Sequence, residues 1–149
     1  MNQNTSTGCH GILEGVVQPS GSCLNALEPI TILLVDDDDQ LRALCRSFLT
    51  VQGFQVLEAD NGMDALLIAA ECGRTIDVLI TDLAMPGISG LDLGQAFEQI
   101  WPGVSVLYIS GSGRETVGAL LSQDCAFLPK PFDAEGLVRA VAACMHARV

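Results

Sequence analysis

TILLVDDDDQLRALCRSFL, residues 31–49, changes its period in mid-course. TILLV is short, apolar and rich in β-branched residues, as a strand buried on both faces should be. Four aspartates, Asp36 to Asp39, interrupt it. Leu41, Leu44, Cys45, Phe48 and Leu49 then recur at helical spacing, with Asp38 or Asp39 placed to cap the first free N–H groups. The stretch therefore reads as strand, acidic turn and helix, one half of a βαβ unit.

The same alternation repeats outward from it. Apolar runs recur as FQVLEA (54–59), IDVLIT (76–81), VSVLYI (104–109) and CAFL (125–128). Helical stripes follow at Met63, Leu66, Leu67 and Ala70 after Asn61, and at Leu93, Ala96, Phe97 and Ile100. A short one lies at Val117, Leu120 and Leu121, and the last at Leu137, Val138, Val141 and Met145 after Asp133. FQVLEA alternates more than the others, as an edge strand does. Strands alternating with helices imply right-handed crossovers and a parallel sheet covered on both faces. The predicted fold is α/β, a (βα)5 doubly wound parallel five-stranded sheet over residues 30–149.

Composition narrows the function classes. The chain has 149 residues, 49% of them hydrophobic and 17% charged, which gives one domain with a core of its own. Seven Lys+Arg against 18 Asp+Glu leave a net charge of −11. Such a field repels phosphate backbones and anionic lipid, so no direct nucleic-acid or membrane partner is expected. The first ten residues carry neither a basic nor an apolar signal region, and no apolar run is long enough to span a bilayer. The six cysteines are scattered without a CxxC, which suits reduced thiols and a cytoplasmic location. Residues 1–29 hold few charges and no period, and read as a flexible N-terminal extension or linker that buries little.

In doubly wound sheets ligands bind beyond the carboxyl ends of the strands. Strand one ends in Asp36 and Asp37, strand three in Asp82, strand four in Ser110 and strand five precedes Lys130. Each alone has a bland reading: a solvated helix cap, a turn aspartate, a plain Ser-Gly loop, a surface lysine. Together they sit at one edge of one sheet. Converging carboxylates repel unless a cation joins them, and hard oxygen ligands suit Mg²⁺. A hydroxyl and an ammonium beside such a cation are the parts needed to hold a phosphoryl group on a carboxylate nucleophile.

VDD at 35–37, TDLAMPGISG at 81–90, Ser110 after VLYI and KPF at 130–132 resemble a response-regulator receiver domain of two-component signalling, over about 118 residues. VLYISGSG and FLPKPF most resemble receivers attached to hybrid sensor histidine kinases. The resemblance implies the flavodoxin-like strand order 2-1-3-4-5. It implies that Asp82 accepts a phosphoryl group from a phosphohistidine, that Asp37 binds Mg²⁺ directly and Asp36 through water, and that Asp82 and the Ala84 carbonyl complete the metal ligands. Ser110 would hydrogen-bond the phosphoryl oxygen, and Lys130 would contact both the acids and the phosphoryl group, with the Lys130–Pro131 bond often cis. Ser110 and Phe127 would be the switch residues, Phe127 lacking the hydroxyl of the more usual Tyr. Ala84 and Ser112 would border the approach of the hydrolytic water. The expected partners are a sensor histidine kinase or phosphotransfer protein, with homodimerisation as a further arrangement.

Such a domain catalyses only its own phosphorylation and dephosphorylation. The chain ends just past the last helical stripe, so output is expected through protein contacts or the rest of a longer parent. A haloacid-dehalogenase-like phosphatase would instead use Asp36 as nucleophile. It is disfavoured by Gln40, where its motif has Thr or Val, and by the absence of a late acidic pair. A non-signalling flavodoxin-like binding module is the remaining alternative.

Overall fold

The computed structural model describes residues 28–72, 76–111, 121 and 125–146. In chain order the elements are β1 (Thr31–Val35), α1 (Asp39–Val51), β2 (Gln55–Ala59), α2 (Gly62–Cys72), β3 (Val78–Asp82), α3 (Gly90–Ile100), β4 (Ser105–Ser110), β5 (Ala126–Pro129) and α4 (Ala134–His146). The five strands are parallel in the order β2-β1-β3-β4-β5. The short stripe ending at Leu121 lies outside the described residues apart from Leu121 itself, which is buried.

Alternate side chains of each strand point to opposite faces, so the sheet carries two cores. Leu33, Val35, Leu79, Val106 and Tyr108 pack with Ala65, Ala69, Leu93 and Phe97 of α2 and α3. Ile32, Leu34, Val78, Ile80, Leu107 and Ile109 pack with Cys45, Leu49, Leu137, Val141 and Cys144 of α1 and α4. Strands β1, β3 and β4 are buried along their whole length. The alternating run is indeed an edge strand, β2. Its Glu58 is paired with Arg42 and Arg46, and a charge on an edge discourages pairing with another sheet.

The helix ends are set by local chemistry. Asp38 caps α1 through the N–H groups of Gln40 and Leu41. Asn61, Ser89 and Asp133 accept from the N–H groups of Asp64, Asp92 and Gly136 in the same way. α1 stops at a left-handed Gly53, with φ 95°. There the Gly53 and Phe54 N–H groups turn back to the carbonyls of Thr50 and Leu49, the paired bonds of a Schellman end.

The predicted face of α2 needs correction. Met63 and Leu67 of the expected stripe are 57% and 52% exposed, and the helix instead buries Gly62, Ala65 and Ala69. Small residues let α2 lie close to its neighbours. A Cβ on Gly62 would come within 2.8 Å of the Ile88 Cβ. Leu44 and Ile100, also read as core positions, are likewise exposed.

Candidate functional site

Strand register brings the acidic residues together. Val35 pairs with Thr81, and the next residue of each strand is Asp36 and Asp82. Asp36, at 1% exposure, has its N–H bonded to the Ala59 carbonyl and accepts at Oδ1 from the Asp38 N–H at 2.9 Å. Asp82, at 6% exposure, accepts at Oδ1 from the Ala84 N–H at 3.3 Å. Asp37 is exposed at the mouth. Carboxylate oxygens of Asp36, Asp37 and Asp82 all lie within 4.8 Å of one another.

Lys130 enters from the far side of the cleft. Its N–H bonds to the Ser110 carbonyl at 2.8 Å, which ties the end of β5 to the end of β4. Its Nζ reaches Asp82 Oδ2 at 3.2 Å and stands 3.5 Å from Asp36 Oδ2. The Lys130–Pro131 bond is cis. Ser110 is buried at the end of β4, and half-buried Phe127 of β5 pairs with Tyr108 of β4. Ala84 is exposed beside Asp82. Ser112 lies outside the described residues.

The electrostatics favour a further positive charge. Burial pushes the Asp36 carboxyl up, helped by the nearby Asp82 charge and opposed by the Asp38 N–H and Lys130. Burial pulls Lys130 down, but the Asp36 and Asp82 charges outweigh it and leave the ammonium raised. Asp36 Oδ2 is buried without a hydrogen-bond partner, since the 3.5 Å approach of Lys130 is an ion pair and not a hydrogen bond. A buried carboxylate oxygen that accepts no hydrogen bond and faces two more carboxylates fits a hard cation with oxygen ligands, of which Mg²⁺ is the natural choice.

Two supporting residues were not singled out from the sequence. Arg42 bonds the Asp36 carbonyl at 2.7 Å; its i,i+3 spacing from Asp39 was the available clue, but its partner Glu58 is a long-range neighbour. Gly90, at the start of α3, lies against the peptide that follows Asp82. A Cβ there would stand 1.9 Å from the Asp82 carbonyl oxygen. Cys45, beneath the site, is a buried thiol pushed up to about 11, chiefly by burial, so it is no nucleophile.

The response regulator receiver domain family matches residues 32–142, and the chain belongs to that family. It is 33% identical over 113 residues to the sensor kinase CckA of Brucella abortus, a match covering 74% of this chain and 12% of that protein. It is 35% identical over 118 residues to the transcriptional regulatory protein CpxR of Escherichia coli, covering 77% of this chain and 49% of that one. The chain thus spans about half of one relative and far less of the other. A crystal structure of a response regulator receiver protein from Sinorhizobium medicae matches with a TM-score of 0.74 and 31% identity, over 83% of this chain and 99% of that one. No helix among the described residues is long and apolar enough to cross a membrane.

Proposed function

We propose that this receiver domain takes a phosphoryl group from the phosphohistidine of a sensor kinase or phosphotransfer protein onto Asp82. The observation that carries the reading is the meeting of Asp36, Asp37, Asp82 and Lys130 at one strand edge, with Asp36 Oδ2 left without a hydrogen bond. A Mg²⁺ ion held by Asp36, Asp37, Asp82 and the Ala84 carbonyl would neutralise charge on the phosphoryl oxygens and on the acids themselves. The Asp82 carboxylate attacks phosphorus, the P–N bond breaks, and the histidine nitrogen leaves with the bonding pair. Lys130, already on Asp82, turns its ammonium to the new phosphoryl oxygens, and the Ser110 hydroxyl orients them. Movement of Ser110 toward that group, with a rotamer change of Phe127, carries the signal to partners. We place this activity in the cytoplasm, with residues 1–29 as a linker outside the folded receiver.

The test is direct. With acetyl phosphate and Mg²⁺, the intact mass should rise by one phosphoryl group, and chelating the Mg²⁺ should abolish the gain. Phosphate incorporation that is indifferent to Mg²⁺ would contradict the reading.

The lifetime of the adduct follows from its surroundings. Hydrolysis needs a water in line with the phosphorus, and a polar side chain commonly orients it. Ala84 offers none, and Ser112 offers only a short hydroxyl. Slow self-dephosphorylation is expected, suited to holding a signal or passing it on. Ala84→Asn should speed the loss of labelled phosphate about tenfold, the equivalent of ~1.4 kcal/mol in the barrier. Equal or slower decay in that variant would contradict the assignment.

A further inference from the structure

Arg42 lies one turn into α1 and serves acceptors on three segments of the chain. Its Nη1 donates to the Asp36 carbonyl at 2.7 Å, its Nε to Glu58 Oε1 of β2 at 3.1 Å, and its Nη2 to Asp39 Oδ1 at 2.8 Å. The side chain is only 16% exposed, and the second oxygen of Glu58 is held by Arg46 Nε at 2.8 Å. The guanidinium is therefore locked in place by a carboxylate that is itself braced.

The acceptor that matters is the Asp36 carbonyl. That oxygen and the Asp37 N–H belong to one planar peptide. A donor that fixes the carbonyl fixes the plane from which the Asp37 side chain departs. Asp37 is exposed on the turn between β1 and α1, so its carboxylate is placed by the backbone that carries it. A planar, multi-donor fork can hold a carbonyl and two carboxylates in one geometry, whereas an ammonium cannot match that fixed fork.

We propose that Arg42 is a positioning residue for the cation site, holding the Asp36–Asp37 peptide so that the Asp37 carboxylate faces Asp36 and Asp82. The inference rests on the proposed function of that site. Partners one bond removed from a metal's ligands commonly govern its affinity by ten- to a hundred-fold. The sign separates positioning from simple charge. Removing a positive charge beside a cation site should tighten cation binding, whereas loosening the ligand should weaken it.

Calorimetric titration of the full chain with Mg²⁺ alone tests this. Arg42→Gln is expected to raise the Mg²⁺ dissociation constant about tenfold, against the direction of its charge. Arg42→Lys, which keeps the charge and loses the fork, should weaken binding as well and carries the test if the Gln variant does not fold. Arg139→Gln, which removes a charge paired with Glu135 on α4 and outside this network, should leave affinity unchanged or tighter. Excess Mg²⁺ should restore acetyl-phosphate labelling in the Arg42 variants. Unchanged or tighter Mg²⁺ binding in both Arg42 variants would overturn the proposal, even if their melting temperatures fell. Failure of the unsubstituted chain to bind Mg²⁺ would overturn both this proposal and the reading beneath it.

Discussion

Asp82→Asn should give no phosphoryl adduct with acetyl phosphate and Mg²⁺ while melting no lower than the unsubstituted chain. An amide is not a nucleophile for this transfer, so labelling should fall to background. The fold should not suffer, because three carboxylates converge here and removing one relieves repulsion. Asp36 shows the strain: burial and the Asp82 charge hold its carboxyl above its ordinary value. An acid whose folded pKa is raised contributes most to stability below its unfolded pKa, and that contribution declines as pH rises through the folded value. Above that value the ionised Asp36 costs stability that a bound cation would offset. Asp36→Asn, by contrast, removes a proposed metal ligand and should slow labelling without moving its site. Retention of the adduct in Asp82→Asn together with its loss in Asp36→Asn would favour the phosphatase reading, in which Asp36 is the nucleophile.

Gly90→Ala is expected to be the most damaging methyl group that can be added near the site. The new Cβ would stand 1.9 Å from the Asp82 carbonyl oxygen and 2.8 Å from the Leu83 Cα. Both are backbone atoms and cannot rotate away. The Gly90 N–H also bonds the Leu83 carbonyl at 3.0 Å, so relief requires α3 to back off from β3 and break that bond. Overpacking against a fixed wall costs about 3 kcal/mol, a fall of roughly 10 °C in melting temperature for a domain of this size. Because the displaced peptide carries Asp82, labelling should slow as well. Gly103→Ala is the control, since a Cβ there meets nothing within 4 Å. Equal melting temperatures for the two variants, followed by thermal unfolding, would contradict the close packing of α3 on β3.

The parts of the molecule that were legible in the sequence are those where chemistry and period coincide. Five apolar runs with helical stripes between them announced a parallel sheet. The polar residues just past those runs are the ones that meet at its carboxyl edge: Asp36, Asp37, Asp82 and Lys130. The parts that were not legible depend on closeness. Gly62, Ala65 and Ala69 form the buried face of α2 because they are small, and hydrophobic periodicity is blind to small residues, so it pointed to Met63 and Leu67 instead. Gly90 carries no signal of its own except as a glycine at a helix start, where tight approach is one reading among several. Arg42 is an ordinary helix residue until β2 supplies Glu58 from across the fold.

Everything proposed for this site requires Asp82 to carry the phosphoryl group. Borohydride reduces an aspartyl phosphate to homoserine, which marks the acceptor in a peptide mass spectrum. After treatment with acetyl phosphate and Mg²⁺, reduction should place homoserine at position 82 and nowhere else. Homoserine at position 36 or 37, or none at all, would contradict the account.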